Sequence, residues 1–232
     1  MPHAVDHTAI LDRLAAMLGG TGNAFETLDP RRTAHLIVDM QNGFMEEGAP
    51  VEVPMAREIV DEVNRLSAAV RAAGGRNYFL RYTTPNGEVP GWPVMWSRLG
   101  PDGAKVHQDA FTPGAHYWQL WPAIEVEGTD VVLNKHRFSA FTPGTSELPA
   151  MLAADGIDTV IVSGTLTNCC CESTARDAMQ NNYRVIMACD ANAALTDEEH
   201  AATLHSLALA YADLRSVEEL EAMLAAEVAE AA

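Results

Sequence analysis

The chain has little cysteine, and the cysteines that it has are badly placed for disulfide bonds. Three of the four are consecutive, at positions 169–171, and the fourth is Cys189. Adjacent cysteine side chains lack the geometry to pair usefully, so a disulfide framework is excluded. This cysteine usage favours a reducing compartment.

Positive charge is also scarce. The 232 residues include 15 Lys and Arg against 32 Asp and Glu, which gives a formal net charge of −17. Because binding to phosphate backbones needs a basic surface, this balance argues against a nucleic-acid partner. An acidic exterior is ordinarily a solvated surface, although it also suits a cationic substrate.

Long apolar runs are missing as well. No segment approaches the ~20 apolar residues that a membrane-spanning helix needs. The first twenty residues have no basic segment, and they carry Asp6 and Asp12 where a signal peptide would be apolar. We therefore expect a cytoplasmic protein with no membrane association.

The remaining sequence alternates between strand and helix patterns. Short runs rich in β-branched, aromatic or other apolar residues predict strands at 34–38, 77–82, 130–133, 159–162 and 185–189, with an edge strand near residue 214. Helices are predicted at 4–18, 54–73, 145–154, 170–181 and 197–211, and a Ser216-x-x-Glu219 capping box opens a C-terminal helix. This alternation predicts an α/β fold, a doubly wound, Rossmann-like three-layer α/β/α sandwich with a five- or six-stranded parallel sheet.

One long segment, residues 83–127, shows no sustained period. It is rich in Pro and Gly and contains all four tryptophans. A long irregular segment inside a compact domain is usually either functional or disordered, and the aromatic content favours an ordered lid or interface. We expect it to take part in substrate specificity or in a homo-oligomer interface.

Three chemically reactive residues stand at or just beyond the carboxyl ends of predicted strands. They are Asp39, Lys135 and Cys170. The carboxyl ends of strands line the ligand crevice of a doubly wound sheet, and these side chains converge if the third strand pairs beside the first and the fourth beside it. Taken singly, each has an ordinary explanation as a turn former, a solvated ammonium or a small buried hydrophobe.

As a set, these residues suit nucleophilic catalysis. A thiol at a helix N-terminus, beside an ammonium, is expected to have a lowered pKa, so that thiolate is accessible near neutral pH. A neighbouring carboxylate can take the thiol proton and return it to a leaving amine. The loop 164–168 could aim backbone N–H groups at a developing oxyanion.

Three sequence blocks carry a resemblance to a known family. They are 36–44 (Leu-Ile-Val-Asp-Met-Gln-Asn-Gly-Phe), 135–141 (Lys-His-Arg-Phe-Ser-Ala-Phe) and 164–178 (Gly-Thr-Leu-Thr-Asn-Cys-Cys-Cys-Glu-Ser-Thr-Ala-Arg-Asp-Ala). In order and spacing, from about residue 33 to 216, the chain resembles the isochorismatase-like cysteine hydrolases. Within that family the third block most resembles the streptothricin-hydrolase-like branch. We divide the chain into an N-terminal helical arm, 1–30, and a hydrolase domain with a C-terminal helix, 31–232.

The resemblance implies specific roles for residues of this chain. It implies a catalytic triad of Asp39, Lys135 and Cys170, with Cys170 chosen among the three cysteines by its place in the Thr-Asn-x-Cys pattern. It also implies a cis peptide bond between Thr165 and Leu166, with an oxyanion hole made by the N–H groups of Leu166 and Cys170. A homo-oligomer, dimer or tetramer, is expected on the same ground.

The resemblance bears on the pocket and on cofactors too. Phe44, Tyr82, Trp118 and Phe141 are candidates for walls of a substrate pocket, although aromatic side chains often serve core packing alone. Nicotinamidases of the family carry an Asp-x-His metal site soon after the first block. Here the comparable region, 52–54, reads Glu-Val-Pro. We therefore predict no metal and no cofactor.

These features favour a metal-free cysteine amidohydrolase. It would cleave a non-peptide C–N bond of a small molecule (an amide, an ureide or N-carbamoyl group, or a lactam) through a thioester intermediate. Two alternatives stay open at this stage. One is isochorismatase-type hydrolysis of a vinyl ether, which should survive Cys170→Ala but not Asp39→Ala. The other is a non-catalytic role, as a ligand-binding member of the family.

Overall fold

The computed structural model describes residues 3–20 and 22–230. The strands are β1 (Thr33–Val38), β2 (Arg76–Tyr82), β3 (Val131–Lys135), β4 (Thr159–Thr165), β5 (Arg184–Ala193) and β6 (Asp213–Arg215). The helices are α1 (His7–Leu18), α2 (Asn42–Met45), α3 (Val60–Ala72), α4 (Pro93–Ala110), α5 (Leu148–Ala154), α6 (Glu172–Gln180), α7 (Asp197–Ala210) and α8 (Val217–Glu230). Within these described ranges, none of the helices has the length and apolar character needed to span a bilayer.

The strands form one parallel sheet in the order β3-β2-β1-β4-β5-β6. This confirms the predicted doubly wound α/β fold. The direction of strand addition reverses between β1 and β4, and such a switch point is where open α/β sheets bind ligands. The fourth strand lies beside the first, as expected, but the third pairs with β2 instead of β1. Lys135, at the end of β3, must therefore reach past β2, about one strand spacing of ~4.8 Å farther.

Apolar side chains fill a core on each face of the sheet. In β1, Leu36 and Val38 belong to one core while Ile37 belongs to the other, as the alternation of a strand requires. Helices α1, α5, α6 and α7 contribute to the first core, and α3 and α8 to the second. The sheet is thus covered on both faces, and its open crevice lies at the carboxyl ends of the strands.

The segment 83–127 contains a helix that the sequence patterns did not predict. Helix α4 consists of two helical pieces joined at Gly100, whose φ of 69° is left-handed, with Pro101 directly after it. A kink of this kind rotates the second piece relative to the first. For that reason no single helical period runs through the segment, and periodicity did not predict α4.

Gly164 is required by the close approach of β4 to β1. It lies opposite Val38 with a φ of 110°, and a Cβ added to it would lie 2.2 Å from the Val38 carbonyl oxygen. We expect Gly164→Ala to lower the free energy of unfolding by more than about 2 kcal/mol, because both the backbone strain and the clash act together. Urea denaturation measures this loss.

Gly156→Ala provides the matched control for that substitution. Gly156 also has a positive φ, 69°, but nothing lies within 4 Å of a Cβ added there. We expect Gly156→Ala to cost about 1 kcal/mol, from strain alone. An equal cost for the two substitutions would contradict the assignment of a steric contact between β4 and β1.

Candidate active site

Asp39 and Lys135 form a buried ion pair at the carboxyl end of the sheet. Asp39 follows β1 directly, with a left-handed φ of 54°, and its N–H donates to the carbonyl of Leu80 on β2 at 2.9 Å. Both charged side chains are 0% exposed, and Lys135 Nζ lies 2.8 Å from Asp39 Oδ2. The ammonium also donates to the carbonyl of Arg137 at 3.1 Å. The Asp39 Oδ1 atom has no hydrogen-bond partner among the described side-chain contacts.

Cys170 lies in the helical turn that follows β4 and leads directly into α6, at the N-terminus of the helix predicted for 170–181. The turn, Thr167–Cys171, is π-helical, and α6 begins only at Glu172. The Leu166 carbonyl accepts hydrogen bonds from the N–H groups of Cys169 and Cys171, at 3.1 and 3.2 Å. The predicted cis peptide bond between Thr165 and Leu166 is confirmed. Cys170 is 5% exposed. Its hydrogen bond with Asp39 lowers the pKa of that carboxyl, and its hydrogen bond with Lys135 raises the pKa of that ammonium.

The buried environment sets the protonation of the three groups. Burial raises the pKa of the Asp39 carboxyl, against the opposing effect of Lys135. Burial alone would lower the pKa of Lys135, but the charges of Asp39 and Cys170 and the hydrogen bonds with both together outweigh burial, so the Lys135 pKa lies above its ordinary value. A hydrogen bond with Cys169, together with burial, raises the pKa of Cys170. The Cys170 pKa therefore lies above its ordinary value and not below it as predicted, because the Asp39 charge adds to these two effects and Lys135 opposes them only in part.

Tyr82 is the predicted pocket residue that the structure brings closest to the charged groups. It ends β2 at 2% exposure, and Lys135 Nζ lies 5.5 Å from the centre of its ring. Its hydroxyl oxygen is buried without a hydrogen-bond partner in the described part of the chain. Burial raises the pKa of this hydroxyl, so it remains a donor at neutral pH. An unpaired buried donor of this kind is suited to contact with a substrate oxygen or nitrogen.

The other predicted wall residues have contacts typical of packing. The Phe44 ring lies 4.9 Å from that of Phe111, and the Phe141 ring lies 5.5 Å from that of Tyr183. Trp118 stacks under the Arg81 guanidinium at 3.7 Å and donates from Nε1 to Thr83. A role for Phe44, Trp118 and Phe141 in substrate binding stays a prediction.

Gln41, a residue without a predicted role, holds the loop around Asp39 in place. Its Nε2 donates to the carbonyls of Tyr82 and Trp118, at 3.0 and 2.9 Å, and its Oε1 accepts from the Tyr82 N–H at 2.7 Å. Gln41 is completely buried, so these bonds replace all the water that its amide would bind. The sequence feature that could have indicated this role is the position of Gln41 in the first sequence block, two residues after Asp39.

A cavity of about 360 Å³ lies beside α6 and the segment that follows β3. Its lining includes Ser173, one helical turn after Cys170, together with Trp92, Arg137 and Phe138. The Trp92 ring packs edge-on against Phe138 at 4.8 Å and lies under the Arg137 guanidinium at 4.9 Å. Arg137 also donates to the carbonyls of residues 90 and 91. These contacts hold the segment before α4 over the cavity, and periodicity alone did not indicate them.

No group of three or more His, Cys, Asp or Glu side chains within residues 3–20 and 22–230 is arranged to hold a metal ion. The prediction that the protein uses no metal and no cofactor stays a prediction. The positive charge that lies against the Asp39 carboxylate is the ammonium of Lys135.

Reactive side chains at the switch point of a parallel sheet define an enzyme of the doubly wound α/β class. A family model described as the isochorismatase domain matches residues 33–219, and the chain belongs to the isochorismatase family. It is therefore a hydrolase, as predicted.

Three relatives illustrate this membership. The chain is 31% identical to Nicotinamidase 3 of Arabidopsis thaliana over 193 residues, which are 82% of this chain and 88% of the relative. It is 32% identical to the ureidoacrylate amidohydrolase RutB of Methylorubrum extorquens over 179 residues, 70% of each protein. A crystal structure of a cysteine hydrolase from Pseudomonas syringae pv. phaseolicola superposes with a TM-score of 0.79 at 27% identity, covering 88% of this chain and 98% of that one.

Proposed function

We propose that the protein is a cysteine-dependent amidohydrolase that cleaves a non-peptide C–N bond of a small molecule. The bond would belong to an amide, an ureide or N-carbamoyl group, or a lactam. The single observation that carries this proposal is the buried Asp39–Lys135 ion pair, 2.8 Å between Nζ and Oδ2, next to the Cys170 thiol. The amide-cleaving activities named for two relatives, a nicotinamidase and an ureidoacrylate amidohydrolase, support the same class of reaction.

The proposed reaction begins from a thiol, not from a resting thiolate. The Asp39 carboxylate, which is hydrogen bonded to the thiol, takes the Cys170 proton as Sγ attacks the substrate carbonyl carbon. The carbonyl oxygen becomes an oxyanion that the N–H groups of Leu166 and Cys170 stabilise. Asp39 then gives its proton to the departing nitrogen, the C–N bond breaks, and a thioester remains on Cys170.

Hydrolysis of the thioester completes the proposed cycle. Asp39 is again a carboxylate and removes a proton from a water molecule, whose oxygen attacks the thioester carbon. The second oxyanion collapses, the carboxylic or carbamic acid leaves, and Cys170 recovers its proton from Asp39. Lys135 stays protonated throughout, since its raised pKa keeps it charged beside Asp39.

The pH dependence of kcat/KM follows from the pKa direction of Asp39. The active form needs the carboxylate, and burial raises the pKa of Asp39 above its ordinary value of 3.8. A raised pKa keeps the group protonated to a higher pH, so we expect kcat/KM to fall, on acidification, at a pH above 3.8. A pH-rate profile, with circular dichroism to verify folding at each pH, measures this. An unchanged kcat/KM down to about pH 4 in folded protein would contradict the role of Asp39.

The reaction class is tested by assaying ammonia release from a panel of primary amides, ureido acids and a streptothricin. Ammonia from one group of compounds names the substrate class, whereas ring opening of the lactam without ammonia identifies the cyclic-amide branch. No turnover of any compound would argue against the amidohydrolase proposal.

Three further properties also remain predictions: the domain division at residue 30, the homo-oligomer and the cytoplasmic location. Analytical ultracentrifugation tests the homo-oligomer.

A further inference from the structure

The residues before α1 reach the turn that carries Cys170. His3 is 3% exposed although it lies close to the start of the chain. It lies well outside the segment 33–219 that matches the isochorismatase domain. The contacts of His3 are therefore features of this chain beyond the matched domain, and they are not explained by the proposed triad.

Hydrogen bonds define the state of the His3 ring. Its Nε2 accepts from the N–H of Ala194 at 3.0 Å, just after β5, so this nitrogen carries no proton. Its Nδ1 lies 2.8 Å from Asp197 Oδ1 at the start of α7, and therefore donates. The ring is thus fixed at both nitrogens, between the end of a central strand and the first turn of a helix.

The fixed ring of His3 stacks on a second buried imidazole. The His3 and His200 ring centres are 4.3 Å apart with an interplanar angle of 14°. His200 is 1% exposed, and its Nδ1 lies 2.9 Å from the hydroxyl of Thr167. Burial lowers the pKa of His200 to about 4, so His200 is neutral at neutral pH.

The orientation of the Thr167 hydroxyl follows from these contacts. The Cys189 backbone raises the pKa of His200, which is the effect of a carbonyl that accepts from the ring, and this places the imidazole proton on the nitrogen that Thr167 does not use. Nδ1 is therefore the acceptor, and the Thr167 hydroxyl donates to it. Thr167 is the first residue of the π-helical turn that contains Cys170 and directly follows Leu166.

We propose that His3 and His200 are positioning residues for the turn Thr167–Cys171, which contains Cys170. Stacking by His3 fixes the His200 ring. The hydrogen bond between His200 and Thr167 then holds the turn so that Cys170 and the Leu166 N–H are correctly oriented. This inference rests on the proposed role of Cys170 as nucleophile. It gives the N-terminal arm a part in the reaction beyond packing. The arm then acts at the opposite end of the turn from α6.

The same arm offers a matched control. His7, at the start of α1, is bonded through Nε2 to Glu219 Oε2 of α8 at 3.0 Å. This hydrogen bond attaches the arm to α8, at a site away from the turn that begins at Thr167. His7→Ala therefore weakens arm docking without touching the His3–His200 stack, whereas His3→Ala removes the stack itself.

The first readout needs no substrate. Iodoacetamide modification of Cys170 is followed by peptide mass spectrometry in the wild type and in His3→Ala, His7→Ala, His200→Leu and His200→Asn. Because the wild-type thiol is only 5% exposed, release of the turn should raise the modification rate. We expect an increase of about fivefold or more for His3→Ala and His200→Leu, and less than about twofold for His7→Ala. His200→Asn keeps an acceptor near the Nδ1 position and should restore part of the wild-type behaviour.

The second readout is turnover of whichever amide the panel identifies. A displaced nucleophile loses rate more than binding, so kcat should fall by about 10- to 100-fold in His3→Ala and His200→Leu while KM changes little. Thr167→Val should behave like His200→Leu, and Thr167→Ser should retain activity because its hydroxyl can still donate. This pair replaces His200→Leu if that variant does not fold.

The outcomes separate this inference from the proposed function. Modification rates and kcat that are the same in His3→Ala and His7→Ala would overturn it, even if Cys170 proves to be the nucleophile. If the panel gives no turnover, the amidohydrolase proposal fails, and the modification rates alone still decide whether His3 and His200 position the turn.

Discussion

Cys170→Ala is expected to abolish amide hydrolysis, with kcat/KM falling by at least about 10⁴-fold, because it removes the thiol that forms the proposed thioester. Cys171 does not replace it, because that residue is completely buried and its Sγ faces the carbonyl of Ser163. Ammonia release gives the rate, and mass spectrometry of intact wild-type protein, quenched during turnover, detects the acyl adduct. The adduct should be absent from Cys170→Ala.

Cys189→Ala is the control for this substitution. Cys189 lies in the core on β5, and its thiol contacts the carbonyl of Met187. Its removal should cost some stability but leave kcat/KM within about threefold of wild type, since it lies outside the ion-paired cluster. Full amide hydrolysis by Cys170→Ala would rule out the nucleophile assignment. Turnover of isochorismate that survives Cys170→Ala but not Asp39→Ala would instead identify the vinyl ether reaction.

Substitutions in the Asp39–Lys135 pair are expected to affect stability and activity together. Asp39→Asn leaves the Lys135 ammonium buried without a counter-charge, and Lys135→Met leaves the Asp39 carboxylate in the same position. Each side chain is 0% exposed, so we expect each single variant to lose about 3–5 kcal/mol of unfolding free energy. Denaturant unfolding measures these losses, and ammonia release should be reduced by at least about 10³-fold in both variants.

The double variant Asp39→Asn/Lys135→Met separates the two effects. Because it removes both charges, its stability loss should be smaller than the sum of the single losses, which is the signature of a coupled pair. Its activity should remain as low as that of the single variants, because the proton acceptor for Cys170 is gone. Additive stability losses would contradict the buried ion pair, and recovered turnover would contradict the role of Asp39 as the base.

The pKa direction of Cys170 affects how the family chemistry operates in this chain. The sequence suggested a thiolate stabilised by a helix N-terminus and an ammonium. In the structure, the ammonium already faces Asp39 at 2.8 Å, and Cys170 lies in a π-helical turn before α6. Burial and the Cys169 hydrogen bond then favour the thiol. We therefore expect slow alkylation of Cys170 at neutral pH in the absence of substrate.

The local sequence contained enough information to predict most elements of the sheet. Short runs of β-branched or aromatic residues indicated β1, β2 and β4, since strand patterns depend on neighbouring residues alone. The capping box before α8 was also predictable, and Ser216 and Glu219 form its reciprocal bonds. Helix α4 was not predictable from its period, because the left-handed Gly100 interrupts the pattern.

The identity of the three reactive residues was likewise determined by the sequence. Asp39, Lys135 and Cys170 each stand at or just past the end of a strand, and three ordered blocks pointed to one family. Their protonation was decided only by tertiary structure. Strand order sets the 2.8 Å contact between Lys135 and Asp39, and the distance and burial of that contact are what shift the pKa values. Likewise, no local pattern could bring His3 onto His200, because contact between residues so far apart in the chain exists only once the arm has packed on the folded domain.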